Sequence, residues 1–218
     1  TVEGGGALIV NSGNTLTTTT GIILTSESVR YPSLILDGTI SGSLRYDRHV
    51  NDNDAVNGND LISAPLTGQA FNLFIDNNTN ILANPSGTDV LFGPFDNDDA
   101  MTPFDLWDED NTTALTAGIG YRTGLDPTSL SDLVSFEGTA NSSDVLVAID
   151  QGTARILNLV GNPFPSYLDA QAFLTENAVV LESTAQVIYG YNDSTDGTSS
   201  DDYTIISSLE NTSLNIAP

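Results

Sequence analysis

The chain contains no cysteine and no lysine, and only one histidine and one tryptophan. Without cysteine there are no disulfides, no thiolate zinc sites and no cysteine nucleophile. Compartment stays open, because exported proteins can lack cysteine too. Basic residues are scarce. Arg30, Arg45, Arg48, Arg122 and Arg155 stand against 29 acidic residues, for a net charge of −24. Such a field repels phosphate backbones and anionic lipid, so nucleic acid and acidic membranes are not expected partners. No apolar run approaches the ~18 residues of a membrane-spanning helix, and membrane insertion is not expected. Catalytic motifs are missing as well. There is no Gly-x-Ser-x-Gly elbow, no His-Glu-x-x-His and no phosphate-cradling glycine loop. A triad would have to use His49, and no serine is marked out as its partner. Glu109, Glu137, Glu176 and Glu182 sit in ordinary surroundings, and nothing singles out the acid and base of a glycosidase. The chain is therefore expected not to be an enzyme.

What is present is a β pattern. A chain of 218 residues with 39% hydrophobic content can bury a real core, as one large β domain or two small ones. Short runs rich in Val, Ile, Leu and Thr alternate with Gly, Asn, Asp and Ser clusters at roughly 8–12 residue spacing, the signature of a sandwich or barrel. Strands are predicted at 7–10, 15–20, 21–26, 33–38, 41–50, 60–66, 89–94, 120–124, 133–140, 144–150, 154–161, 187–192 and 203–208. One helix is predicted, over 166–177, with Ser166 as its cap and Asp169 three residues on. Residues 1–42 carry brief apolar triplets, threonine runs and few aromatics. They read either as rungs of a β-solenoid-like cap or as ordinary strands of the adjoining sandwich. Aromatics arrive from about residue 43. The expected fold is all-β: an antiparallel, jelly-roll-like β-sandwich over 43–218, preceded by a solenoid-like or strand-rich cap over 1–42.

Three acidic clusters, 47–60, 95–111 and 191–203, raise the question of calcium. Ca2+ takes six to eight oxygens from carboxylates, amides and carbonyls. Asp52, Asp54, Asn57 and Asp60 in the first cluster, and Asp96, Asp98 and Asp99 in the second, have that composition without EF-hand spacing. The opposing reading is solvated loops. Sugar binding needs exposed aromatic platforms. Trp107, within "FDLWDED", and Tyr121 are the candidates, against the alternative that they cover the core.

The run "NLVGNPFPSYLDAQAFL", 158–174, differs from the rest. Pro163 and Pro165 fix φ and remove two backbone donors, which bars a central strand. Gly161 permits an unusual turn, and Asn162 is pushed toward extended geometry by the proline after it. A structural corner is expected, with Phe164 or Tyr167 closing one end of the core. The segment "LVGNPFPSYLDAQAF" also resembles the "GNPYPS" segment of large secreted and surface proteins of Bacteroidetes, upstream of a type IX secretion sorting domain. "SGSLRYDRHVN", "DLISAPLTGQAF", "LTAGIGYRTG", "VSFEGTANSSDVLVAI" and "VEGGGALIVNSG" are similar to its other motifs, in the same order. The resemblance implies export, surface display and a further strand after "NIAP". On that reading the chain is a fragment of a longer precursor, its sandwich truncated at the C-terminal end. The family's architecture carries over no catalytic residues.

Together these point to a non-enzymatic exported module of a large secreted or cell-surface protein, an adhesin-type spacer or presentation domain. Its partners would be neighbouring domains of the same precursor and surface glycans or polysaccharide. The alternative is a carbohydrate-binding module of a secreted polysaccharide-degrading enzyme, and a third reading is a hydrolase without a visible site.

Overall fold

The computed structural model describes residues 1–51, 59–184, 186–191, 203–207 and 214–218. The chain opens with seven short strands: β1 (Val2–Glu3), β2 (Ala7–Val10), β3 (Thr15–Thr17), β4 (Ile22–Thr25), β5 (Ser33–Leu36), β6 (Thr39–Ser41) and β7 (Leu44–His49). They do not form hairpins. β1 pairs parallel with β4, and β4 with β7, so that Val2 lies beside Leu24 and Ile22 beside Leu44. β2 pairs parallel with β5, and β3 with β6. Two successive turns of chain thus stack on one another, three strands to a turn. The apolar triplets supply the inward residues Val10, Leu24, Leu34 and Leu44, all buried. Parallel pairing needs a long return connection, and here the other two strands of each turn provide it.

Next come β8 (Asp60–Ser63), α1 (Phe71–Asn77), β9 (Asp89–Val90), β10 (Phe92–Pro94), β11 (Trp107–Asp108), β12 (Gly120–Thr123) and β13 (Leu133–Gly138). β13 joins β7 in antiparallel register, which extends the parallel β1-β4-β7 ladder by one strand. β10, β12 and β8 form a second, antiparallel sheet, and β9 pairs with β11. One hydrophobic core runs from Val10 and Leu34 through Tyr46, Ile62, Phe92 and Phe136, and so crosses position 42 without a break. The fold is all-β, built from small sheets with two short helices.

The last elements are β14 (Leu168–Asp169), α2 (Ala170–Glu176), β15 (Val187–Tyr191), β16 (Tyr203–Ser207) and β17 (Asn215–Ile216). They surround a second, smaller core of Ala170, Leu174 and Ile206. The predicted helix forms, but Asp169 caps it rather than Ser166, its carboxylate accepting from the Ala172 amide at 2.8 Å.

Two expectations need correction. Helix α1 has no sequence forecast. Its cap position, Ala70, offers no side-chain bond. Instead the Phe71 and Asn72 amides donate to the Thr113 and Asn111 carbonyls, so a distant segment satisfies the orphan donors of the first turn. Conversely, 144–150 and 154–161 form no strand ladder, apart from a single bridge between Ile119 and Val160.

The outer edge of β13 is closed by side chains. Asn80 Nδ2 donates to the Leu133 carbonyl at 2.9 Å. Asn78 Nδ2 donates to the Ser135 carbonyl at 2.9 Å, and its Oδ1 accepts the Ser135 amide at 2.7 Å. Gln69 Oε1 accepts the Glu137 amide at 2.9 Å. Alternate residues of a strand direct their backbone groups to the same edge, so these amides stand where a fifth strand would pair. Asn78 also donates to the Phe74 carbonyl at the end of α1. We expect Asn78→Ala to strand both backbone groups of Ser135 and to cost about 2–4 kcal/mol of stability. Urea unfolding measures this, and a loss below about 0.5 kcal/mol would mean the edge is closed by other means.

Candidate functional site

Tyr121 lies within the core. It is 1% exposed, its ring stacks on Phe92 with centroids 4.9 Å apart, and its hydroxyl accepts the Thr116 amide at 2.9 Å. Burial pushes the phenol pKa up, and the bonds from Thr116 oppose this. A ring enclosed on both faces offers nothing to a sugar, so the expected platform is corrected at this position. Trp107 is half-buried on β11 and meets Phe71 edge-on at 5.0 Å and Tyr121 at 5.6 Å. Its indole covers the rim of an aromatic core that continues through Phe74 and Phe136. Sequence alone could not separate this packing role from a platform role, because both demand an aromatic next to polar loops.

The acidic loop 95–105 is folded on its own carboxylates. Asp96 Oδ1 accepts the Asp98 amide at 2.8 Å. Asp99 accepts the Met101 and Thr102 amides and the Thr102 hydroxyl, at 2.7, 3.0 and 2.8 Å. Asp98 reaches outward and accepts the Thr153 amide at 2.6 Å. That bond belongs to a clasp with residues 150–155. Arg155 donates to the Asp99 and Ala100 carbonyls, and the Asn97 carbonyl accepts the Arg155 amide at 2.9 Å. Asp60 closes its own loop, accepting from the amide and side chain of Asn51 at 2.8 and 2.9 Å. Asp52, Asp54 and Asn57 lie outside the described residues. Among the described residues no three His, Cys, Asp or Glu side chains converge as metal ligands would.

A buried polar group on β7 carried no sequence signal. The Asp47 carboxylate, 6% exposed, accepts the Ser135 hydroxyl at 2.7 Å and Arg45 Nη2 at 2.9 Å. Arg45 Nε lies 2.9 Å from the same carboxylate but is not aligned for a hydrogen bond, so Nη2 makes the directed contact. Arg48 is buried, with its guanidinium 4.3 Å from the Tyr31 ring centroid. The His49 imidazole lies 3.4 Å from the exposed Asp132 carboxylate. The nearby Ser26 hydroxyl donates to the Asp47 carbonyl and accepts the backbone amide of His49. It therefore does not engage the ring, as a nucleophile activated by a base would.

The 161–168 corner is where the distant parts of the chain meet, and Asn162 is its centre. This residue is 2% exposed. Nδ2 donates to the Ser166 carbonyl at 2.8 Å and reaches the Ile216 and Ala217 carbonyls at 3.2 Å each. Oδ1 accepts the Phe164 amide at 3.0 Å, and the main-chain carbonyl accepts the Ser63 hydroxyl at 2.7 Å. Neighbours add to the hub. The Leu34 amide of β5 donates to the Pro165 carbonyl, and Asn141 donates to the Pro163 carbonyl. A side chain at Gly161 would sit 2.2 Å from Ser63 Cβ, so only glycine fits. Pro163 and Pro165 are buried and Phe164 is half-buried, while Tyr167 is exposed and does not close the core. Tyr167 instead accepts the Tyr31 amide and meets that ring edge-on at 6.0 Å. An asparagine before a buried proline, with no apolar side chain to mark it, is a signal that hydrophobic periodicity does not register.

No family model matches the chain, and neither a curated protein nor a solved structure is found that is similar to it. Among the described residues no helix is long and apolar enough to cross a membrane.

These contacts lead to two expected outcomes. Asn162→Ala should lower stability by about 2–4 kcal/mol, and Asn162→Asp by at least as much at pH 7, because its carboxylate would face carbonyl oxygens. Chemical denaturation reads both, and wild-type midpoints would show that the corner is held elsewhere. The second concerns acid. The Thr102 amide, then the Met101 amide and the Thr102 hydroxyl, hold the Asp99 pKa below the usual carboxylate range. The Thr88 hydroxyl and the Asp110 amide do the same for Asp108, and the Thr128 hydroxyl and amide for Asp126. A carboxylate whose pKa falls on folding adds stability above its unfolded pKa and loses it as pH drops through the folded value. Relief of the −24 charge acts the other way. Calorimetry should show Tm holding or rising from pH 7 to about pH 5, then falling below about pH 4. A Tm still rising at about pH 3 would sink the assignment.

Proposed function

We propose that this chain is a non-enzymatic structural module of a large secreted or cell-surface protein, serving as a spacer that holds and presents neighbouring domains. In this reading the two stacked turns of residues 2–41 are a solenoid-like cap. The β10-β12-β8 sheet and the sheet containing β7 and β13 are the two layers of a sandwich around the shared core. The observation that carries the reading is where the reactive side chains point. Asp60, Asp96, Asp99, Asn78 and Asn162 accept or donate bonds to the backbone, and Trp107 and Tyr121 pack on other rings. Groups committed to supporting main chain are not arranged around a substrate. The similarity of the Gly161–Ser166 corner to the corresponding segment of type IX secretion substrates supports export and surface display.

The sugar-binding alternative rests on the part of Trp107 that remains accessible. A single set of measurements separates the classes. The isolated chain, with and without calcium, is incubated with common polysaccharides, peptides and esters, and glycan binding is titrated in parallel. We expect no turnover. Trp107→Ala should cost about 2–4 kcal/mol of stability, less than a fully buried ring, with no glycan binding to lose. Turnover that disappears on mutation of one Asp or Glu would make the chain an enzyme. Glycan binding abolished by Trp107→Ala, with the fold intact, would make it a carbohydrate-binding module.

A further inference from the structure

Residues 142–149, "SSDVLVAI", have the composition of a strand and pair with no strand among the described residues. Val145 and Val147 both face the turn at Gly118, where an added Cβ would lie 2.4 Å from Val147 and 3.4 Å from Val145. Leu146, between them, is 95% exposed. This alternation is that of an extended chain with one face on the body and one in solvent. The backbone of 142–149 makes no hydrogen bond to any described residue. Beyond it, Asp150 and Asn158 bond to one another and hold the return segment, on which Ile156 and Leu157 are also exposed. The contrast with β13 is direct. There, three amide side chains close the edge. Here the peptide groups of a β-branched run stand open beside exposed apolar side chains, the arrangement that accepts an added strand.

We propose that residues 142–149 are a docking edge for an extended, positively charged polypeptide segment of a partner, one with apolar residues at alternate positions. The vacant partners are peptide N–H and C=O groups, so the occupant is an extended backbone. Leu146, on the solvent face, selects an apolar side chain beside it. Charge selects its sign. Asp144 and Asp150 are exposed at the two ends of the edge, in a chain of net charge −24 without lysine. A second copy would bring the same charge to the same edge and is disfavoured. The edge does not depend on the spacer role and would stand if that role failed.

The test uses the whole chain and three capped octapeptides: alternating Lys-Val, alternating Lys-Pro of equal charge but unable to pair as a strand, and alternating Glu-Val. Binding is titrated, and hydrogen exchange locates it. The Lys-Val peptide should bind at least about tenfold more tightly than either of the others. It should slow exchange at 144–149 and nowhere else to a similar degree. Ala148→Pro, which removes one donor from the edge, should abolish that protection. Leu146→Ser, which leaves the backbone and the charge intact, should weaken binding without changing Tm and serves if the proline variant fails to fold. Equal binding of the Lys-Val and Lys-Pro peptides would reduce the effect to charge and overturn the proposal. Equal binding of Glu-Val would overturn the basic partner, as would a dimer in sedimentation whose protection maps to 144–149. Protection confined to another segment would overturn the location.

Discussion

A side-chain amide carries the same donor and acceptor as a peptide unit, and this chain uses that equivalence along the edge of β13 and at the 161–168 corner. Its sheets are short and open, so their edges and corners would otherwise leave buried N–H and C=O groups unpaired, each a cost of about 1–3 kcal/mol. Asn78, Asn80 and Gln69 take the place of a strand along β13. Asn162 takes the place of a turn and of part of a strand at once, serving the corner and the carbonyls of residues 216 and 217. Through these residues the stacked N-terminal turns, the two sheets of the core and the C-terminal segment are joined. The aromatic cluster then supplies apolar burial within a frame the amides have closed.

The charge distribution obeys the same logic. All five arginines have partners: Arg30 with Glu27, Arg45 with Asp47, Arg48 over Tyr31, Arg122 over Phe104 and Arg155 on two carbonyls. Those engaged with rings or carbonyls hold structure without neutralising a carboxylate. The acidic surplus therefore stays on the surface, where Asp-based turns put it to local use. Asp99, Asp108 and Asp126 are each held ionised by amides and hydroxyls of their own loops or close neighbours.

The sequence revealed strands where side-chain pattern alone defines them. The runs "ALIV", "SLIL" and "VIYGY" lie in strands with nearly the forecast bounds, because β-branched, apolar residues favour extended chain whatever their partner. Pairing was not legible. "DVLVAID" has an equally strong pattern and no ladder, since pattern reports a face and not the edge beside it. α1 was missed because its cap lies in another segment, and its helix rests on burial of Phe71, Phe74 and Ile75. At the corner, the prolines announced a turn, but the residue that holds it is a polar Asn162 whose partners are 2 to 99 positions away. The candidate sugar and calcium residues stand out by composition alone, and composition does not say whether an oxygen or a ring already has a neighbour.

The chain's one indole lies where two parts of the structure meet. Trp107 sits on the small β9-β11 pair and against Phe71, Phe92 and Tyr121 of the main core. The hairpin of β15 and β16 beside the second core has no tryptophan, and its Tyr189 and Tyr203 are exposed, with Tyr203 meeting Tyr189 and Tyr191 edge-on. The fully buried tyrosines, Tyr46 and Tyr121, belong to the same main core as the indole. Indole emission and the absorbance change of buried phenols therefore report one event, the loosening of the aromatic centre. That event is readable from the natural chain, with no label attached.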